Sequence, residues 1–279
     1  MVGEGRVIHF LVAALGACAL SMPAFAQDLD EATSARLREA VRIGQDINAH
    51  DQSAWHVTDA LLARNPDVTN RRITYVTERI DPQQVRTTFL LTEGDKVSQF
   101  FSGVVEGSTV VSVMDYTRDL SPPDATPDQV ARADALTTAR NMYPQGLCGL
   151  RPNFVVLPSE IPGALDVYAL VPETRSDVVQ IGGHVRITVD ANGFVLPAMT
   201  KAFSNSCLAV ETDPAAKALE PEDKMIFVTM PSNIGDTPTE MHVFKSISHD
   251  LPIYVGTGSG LWAVEGARIR LLEASTKAN

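Results

Sequence analysis

Hydrophobic residues recur along this chain with two different periods, and the change from one to the other divides it into predicted elements. Residues 30–48 carry apolar positions at helical spacing and charged side chains on the opposite face, which predicts an amphipathic helix. A second helix is predicted to begin at an N-cap, either Asp51 or Ser53. It ends at Asn65-Pro66, because the residue before a proline is pushed out of the α region. The short connection between the two helices predicts an N-terminal helical hairpin.

Residues 72–115 have the composition of strands, with many Val, Thr, Ile, Phe and Tyr residues. Turn residues such as Glu93-Gly94-Asp95 separate four such segments, which is typical of an antiparallel β-meander. The predicted strands are Ile73–Arg79, Val85–Leu91, Lys96–Ser102 and Thr109–Asp115.

A central helix is predicted from Thr126 to about Met142. Thr126 is a suitable N-cap, Pro127 suits the first helical turn, and Gln129 can complete a capping box. Few helix starts carry all three signals together.

The rest of the chain is a second strand-rich region with one short helix, predicted at Pro238–Ser248. Asp190-Ala191-Asn192-Gly193 is a hairpin turn signal, because a tight turn there needs positive φ at Asn192 and Gly193. The predicted strands are Asn153–Leu157, Asp166–Val171, Val185–Asp190, Phe194–Phe203, Met225–Met230, Pro252–Gly256, Leu261–Val264 and Ile269–Leu272. Helices and strands are segregated and do not strictly alternate, which predicts an α+β fold with mainly antiparallel sheets.

The first 26 residues have the layout of a secretory signal peptide. Arg6 precedes an apolar run, and small residues stand at −3 and −1 before Gln27. Leu15-Gly16-Ala17-Cys18 gives an alternative, a lipoprotein processing box that would leave a lipidated Cys18. The chain stays apolar after Cys18, which favours simple cleavage after Ala26. A retained anchor is a third alternative, but the run of about 14 residues is short of the ~20 that span a bilayer.

Removal of the signal predicts a mature protein that is periplasmic or secreted, with no transmembrane segment. The proline-rich segment 121–124 is the best linker in the chain. It divides the remainder into residues 27–120 and 121–279, which form either two domains or one continuous domain.

Two of the three cysteines, Cys148 and Cys207, lie beyond the predicted signal. In an oxidising compartment such a pair is expected to form a disulfide. The alternatives are two unpaired buried thiols or a metal site. Neither cysteine has another Cys or His at the spacing of a zinc finger, which disfavours the metal site.

The formal net charge is −11 at pH 7. Nucleic acids and anionic membranes select for clustered Lys and Arg, so the charge argues against both as partners. The charge leaves open whether the partner is an envelope protein or a small ligand.

The sequence contains no G-x-S-x-G, P-loop, H-E-x-x-H or C-x-x-C motif, and it indicates no cofactor. The strongest chemical cluster surrounds the last helix, where His242 and His249 share a face and Glu240 and Asp250 are close by. His242 and Asp250 are therefore candidate metal ligands. Seven helical residues span about 10.5 Å, however, which is too far for both histidines to bind one ion. The alternative is a structural role in capping and packing.

His184 follows Gly182-Gly183 at the start of a strand and shares a face with Arg186. Such a pair can bind a carboxylate or serve as acid and base. The alternative is an ordinary solvated strand face. Trp55 and Trp262 are the only tryptophans, and either could line a pocket or belong to the core.

Three hypotheses about function follow. The first is an exported, non-enzymatic binding or interaction protein of the bacterial cell envelope, which predicts an exposed groove or apolar patch with no cluster of perturbed titratable groups. The second is a periplasmic hydrolase, possibly metal-assisted, in which at least two of His184, His242 and His249 converge in one pocket. The third is a structural subunit of an assembly, which predicts a large exposed apolar surface.

Overall fold

The computed structural model describes residues 29–64, 66–118, 121–143, 148–212 and 225–275. The predicted signal peptide and Cys18 lie outside these residues. The helices are α1 (Glu31–Leu62), α2 (Pro127–Met142) and α3 (Glu240–His249). The strands are β1 (Arg72–Arg79), β2 (Gln84–Glu93), β3 (Lys96–Glu106), β4 (Thr109–Asp115), β5 (Asn153–Pro158), β6 (Leu165–Leu170), β7 (Val178–Gln180), β8 (Val185–Val189), β9 (Lys201–Ala202), β10 (Ala209–Glu211), β11 (Ile226–Thr229), β12 (Ile253–Thr257), β13 (Gly260–Glu265) and β14 (Arg268–Ala274).

The predicted helical hairpin is wrong, because α1 is one continuous helix of 32 residues, about 48 Å long. Asp30 caps its start by accepting a hydrogen bond from Thr33 N at 2.8 Å. Ser53, an expected cap, lies in the interior of the helix instead. Its hydroxyl donates to Val85 O at 3.2 Å and lies 2.8 Å from Thr87 Oγ1, so tertiary contacts satisfy it there.

The antiparallel meander is confirmed, with strands in the order β1-β2-β3-β4. The sheet packs on the C-terminal third of α1, where Val57 and Leu61 are buried against Phe89, Phe101 and other residues of β2 and β3. The predicted central helix is confirmed as α2, and its Thr126–Gln129 capping box is formed.

A second sheet has the order β5-β6-β8-β9 and carries helices on both faces. On one face α2 places Leu136 and Ala139 against Phe154 and Val167. Alternate residues of the same strands point the other way. They meet Ile47 of α1 and Phe244 of α3; this second cluster also contains Val155, Leu157, Tyr168, Leu170, Phe203 and Met241.

The predicted turn after β8 forms, with Gly193 at φ 82° and Gly193 N donating to Asp190 O at 3.0 Å. The positive φ expected for Asn192 is not among those observed in the described residues. The expected continuous strand Phe194–Phe203 is also wrong. It breaks into a bridge at Val195, a 3₁₀ turn at Pro197–Met199 and the two-residue strand β9. A proline lacks the N–H that a continuous ladder needs, which explains the break.

The C-terminal sheet has the order β11-β12-β13-β14. The predicted final meander is confirmed as β12, β13 and β14. In contrast to the expected antiparallel arrangement, β11 pairs parallel to β12, and α3 forms the crossover between them. The short pair of β7 and β10 was not predicted. The molecule as a whole is α+β, as the sequence predicted.

Cys148 and Cys207 form the predicted disulfide, with Cα atoms 5.4 Å apart. The bridge packs directly on Gly183, where a β-carbon would collide with Cys148 Sγ. Gly183 also has φ 87°, a conformation that favours glycine. Gly183 therefore makes room for the disulfide, whereas Gly182 makes room for the backbone at Ser206 and Leu208.

Helices α1 and α3 cross in close contact at Gly44. A β-carbon built there would lie 2.6 Å from Val243 Cβ and 2.8 Å from Glu240 O. The N-terminal half of α1 thus lies against α3 and the C-terminal sheet, where Leu37 joins a buried cluster with Ile253 and Trp262.

We expect Gly44→Ala to lower the free energy of unfolding by about 1–3 kcal/mol through overpacking. This loss should exceed the gain of about 1 kcal/mol that alanine gives in a helix interior. Gly258→Ala is the matched control, since a β-carbon there meets no heavy atom within 4 Å. Urea unfolding of the three proteins measures the difference. A Gly44→Ala protein as stable as the wild type would show that the helices do not pack this closely.

Candidate functional site

A cleft of about 910 Å³ lies between α1, the sheet β5-β6-β8-β9 and the segment that leads into α3. This volume falls within the range of small-molecule sites. Polar and charged residues from several separate parts of the chain line it: Arg36, Glu39, Arg42, Asp46, His50, Arg79, Arg132, Ser159, Glu160, Asp166, Tyr168, Arg186, Lys201, Asp236, Thr237, Thr239 and Glu240.

Strand register builds the floor of the cleft. Tyr168 of β6 pairs with Arg186 of β8, which pairs in turn with Lys201 of β9. The three side chains form one row across three neighbouring strands. Asp166 stands two residues before Tyr168 on the same face of β6. Glu240 is the first residue of α3, and its carboxylate lies beside Arg186 and Lys201 of this row.

Four charges of alternating sign make up this floor, in the order Asp166, Arg186, Glu240, Lys201. Arg186 Nη1 lies 3.9 Å from Asp166 Oδ2 and 4.0 Å from Glu240 Oε1. Lys201 Nζ lies 3.5 Å from Glu240 Oε2. The Glu240 side chain is only 6 % exposed, and that of Asp166 only 10 %. We call these four residues the charged floor.

Other contacts hold the charged floor in place. Thr188 donates to Asp166 Oδ1 at 2.6 Å. The Lys201 ammonium lies 4.8 Å from the centre of the Phe203 ring. The side chains are thus positioned by strands and packing, whereas their charged heads are only loosely paired.

The rim of the cleft is paired differently. Arg42 Nη1 bonds Asp46 Oδ2 at 3.0 Å, and Arg79 Nη2 bonds Asp46 Oδ1 at 2.8 Å. In contrast, none of the described carboxylates lies within 3.5 Å of Arg186. Its Nε is buried and has no hydrogen-bond partner in the described part of the chain. Within the cleft, the ion pairs of the charged floor are therefore longer than those of the rim.

Tyr168 and His50, which also line the cleft, are neutral at physiological pH. Burial raises the pKa of Tyr168 far above its usual value. Burial, together with the charges of Arg79 and Arg132, lowers the pKa of His50 to about 3. The fixed charges of the cleft therefore come from its Arg, Lys, Asp and Glu residues.

The structure places the predicted histidines elsewhere. His184 is completely buried and uses both ring nitrogens: Val171 N donates to Nδ1 at 3.0 Å, and Nε2 donates to Gln180 O at 2.9 Å. Burial lowers the pKa of His184 to about 3. Neither His184, His242 nor His249 is among the residues lining the cleft.

His242 is buried in the first turn of α3, where its Nδ1 accepts a hydrogen bond from Thr239 N at 3.0 Å. Burial lowers its pKa to about 4. His249 Nε2 lies 3.2 Å from Glu173 Oε1, and Asp250 is an exposed C-cap with φ 50°. The described residues contain no cluster of three or more metal-binding side chains.

A second buried charge cluster lies at the far end of α3. Lys245 donates to the Glu173 carboxylate that also contacts His249. Asp51 of α1 interacts with the same charges, and burial raises its pKa to about 6. The contacts of Glu173 with Lys245 and His249 join α3 to the segment after β6.

Of the two tryptophans, Trp262 takes the predicted core role, whereas Trp55 takes neither predicted role. Trp262 is buried in the core, with Nε1 donating to Thr257 Oγ1 at 3.0 Å. Trp55 is 64 % exposed on α1 and does not line the cleft.

Sequence reasoning identified two members of the charged floor but assigned them to other partners. Arg186 was paired with His184, and Glu240 was placed beside His242. It missed Asp166, Tyr168 and Lys201. The available signal was a charge inside an otherwise apolar strand, as in Leu165–Leu170 and Val185–Val189, where an ionised side chain faces a core.

No protein family, curated protein or solved structure matches this chain. Within the described residues, none of the helices has the length and apolar character needed to span a bilayer.

Proposed function

We propose that this protein is a non-enzymatic binding protein of the bacterial cell envelope that holds a small, polar, charged ligand in the cleft beneath α1. The observation that carries the proposal is the charged floor, in which two buried carboxylates, Asp166 and Glu240, lie 3.5–4.0 Å from the partly exposed cations Arg186 and Lys201. These distances are longer than the 2.8–3.0 Å of the rim pairs that Asp46 makes with Arg79 and Arg42.

The energetics of buried charges support this proposal. Removing an ion from water costs several kcal/mol, which is repaid only when a partner makes close hydrogen bonds. Arg186 has five N–H donors, but none of them reaches a described carboxylate within 3.5 Å. A ligand that supplies the missing acceptors would stabilise these groups, and such locally costly arrangements are typical of functional sites.

The disulfide supports a location outside the cytoplasm, since disulfides persist in oxidising compartments. Together with the signal-peptide pattern of residues 1–26, it leads us to place the protein in the periplasm or the medium. Lipidation at Cys18 remains the alternative mode of export.

The hydrolase hypothesis receives less support. It requires at least two of the three candidate histidines in one pocket. The ring nitrogens of His184 bond to backbone groups, and the cleft is lined by none of the three.

We expect at least one compound of a panel of amino acids, sugar acids, sugars and polyamines to raise the melting temperature of the purified protein. At 100 times its Kd a ligand adds about 2.7 kcal/mol. For a protein of this size that is a shift of about 5–10 °C. Differential scanning fluorimetry measures the shift.

The double variant Arg186→Met/Glu240→Gln removes one charge of each sign and should abolish the shift. Arg175→Met is the control, because Arg175 is exposed and paired with Asp177 and Glu211 outside the cleft. Circular dichroism verifies folding. If no compound shifts the melting temperature, or if the double variant responds like the wild type, the proposal is wrong.

A further inference from the structure

We infer that the ligand is an α-amino acid, bound through its carboxylate and its ammonium group together. This inference rests on the proposed function and names the chemical class that fits the charged floor. Three properties of the floor lead to it: its neutrality, the order of its charges and the distances between them.

The charged floor holds two cations and two anions, so it is electrically neutral. A simple anion would be attracted by Arg186 and Lys201 but repelled by Asp166 and Glu240, which lie within 4.0 Å of those cations. A simple cation would be attracted by Asp166 and Glu240 but repelled by Arg186 and Lys201. A molecule that carries both charges satisfies both pairs and leaves the floor neutral.

The cations are the more exposed members of the floor. The Arg186 and Lys201 side chains are 20 % and 34 % exposed, against 10 % for Asp166 and 6 % for Glu240. Because Arg186 and Lys201 are paired across neighbouring strands, both heads can reach one carboxylate that enters from the cleft. A guanidinium binds carboxylates in a bidentate manner, which suits Arg186 to this contact.

The spacing of the charges decides which kind of zwitterion fits. Each cation of the floor has a carboxylate within 3.5–4.0 Å. A ligand carboxylate on Arg186 therefore needs its own ammonium close by, to face Asp166 and Glu240. In an α-amino acid the nitrogen and the carboxyl carbon are about 2.5 Å apart. Each further residue of a peptide separates its terminal charges by up to about 3.5 Å, which is too far for one floor.

The remaining volume of the cleft leaves room for a side chain. Ile43, Leu157 and Ile234 provide apolar surface on the lining, whereas Arg42 and Asp46 provide paired charges at the rim. The common part of the amino acid would thus be held by the charged floor, and the side chain would face these residues.

Isothermal titration calorimetry with each of the twenty common L-amino acids tests the inference on the purified protein. We expect at least one to bind, and we expect its amide, its N-acetyl derivative and the matching acid without an amine each to bind at least 10-fold more weakly. The dipeptide formed from glycine and the amino acid that binds best should also bind at least 10-fold more weakly than that amino acid.

Two variants separate the two ends of the ligand. Arg186→Met should weaken the binding of both the amino acid and its deaminated acid. Glu240→Gln should weaken the amino acid at least 10-fold but leave the deaminated acid unchanged or bound more tightly. Arg175→Met, outside the cleft, should bind like the wild type.

The inference fails if a sugar, a polyamine or a simple anion binds in a manner that depends on Arg186 and Glu240 while no amino acid does. That result would leave the proposed binding function intact. If nothing binds, or if neither variant changes the affinity, the inference and the proposed function fail together. Equal affinity for an amino acid and its amide would overturn the inference alone.

Discussion

The free energy of unfolding is expected to fall by about 3 kcal/mol when the pH is lowered by one unit around pH 5.5. Three histidines cause this loss: burial lowers the pKa of His50 and His184 to about 3 and that of His242 to about 4. In the unfolded chain each returns to about 6.5. The unfolded state therefore binds more protons, and stability rises with pH through this window.

Asp51 acts in the opposite direction. Burial raises its pKa to about 6, so the folded protein takes up a proton there between about pH 6 and the ordinary value of 3.8. Near pH 5.5 the three histidines give about 2.7 protons taken up on unfolding, and Asp51 subtracts about 0.7. The net uptake of about two protons corresponds to the expected slope, since one proton is worth about 1.4 kcal/mol per pH unit.

Urea unfolding at intervals between pH 7.5 and 5 measures this slope. His50→Gln should reduce the uptake by about one proton. Asp51→Asn should increase it by about 0.7 protons, because the opposing group is removed. A stability that stays within 1 kcal/mol from pH 7 to pH 5 would contradict the burial of these histidines.

Replacing both Cys148 and Cys207 by serine should lower the free energy of unfolding by about 4 kcal/mol. The bridge closes a loop with a sequence separation of 59 residues, and the loop-entropy estimate for that length gives this value. Total stabilities of domains are about 5–15 kcal/mol, so the loss is a large share. Thermal or urea unfolding of the double variant measures it.

A reducing agent should destabilise the wild type by a similar amount and leave the double-serine variant unchanged. Thiol titration of the native protein without residues 1–26 should find no reactive cysteine. Two reactive thiols under native conditions would mean that the bridge does not form.

Much of the fold could be predicted because its signals are local. The Thr126–Gln129 capping box, the Gly193 turn and the alternation along the strands each act within a few residues. The continuity of α1 could not be predicted in this way. Whether Ser53 caps a helix or lies inside one depends on Val85 and Thr87, which are distant in sequence.

The candidate site was harder to predict than the fold. Asp166, Arg186, Lys201 and Glu240 come from three strands and one helix, and only strand register and the position of α3 bring them together. Histidine serves as acid, base or metal ligand, so the sequence favoured His184, His242 and His249 as site residues. The fold uses His184 and His242 to satisfy backbone groups, a role that sequence spacing does not distinguish from catalysis.

The position of α1 has a consequence for how the chain acquires its structure. This helix is synthesised long before β12 and β13, yet Leu37 is covered by Ile253 and Trp262 of those strands. Contacts between such distant segments form slowly, because the chain loses the entropy of a long loop before the contacts begin to stabilise it. The nascent chain therefore cannot complete the core around Leu37 until Ile253 and Trp262 have been synthesised.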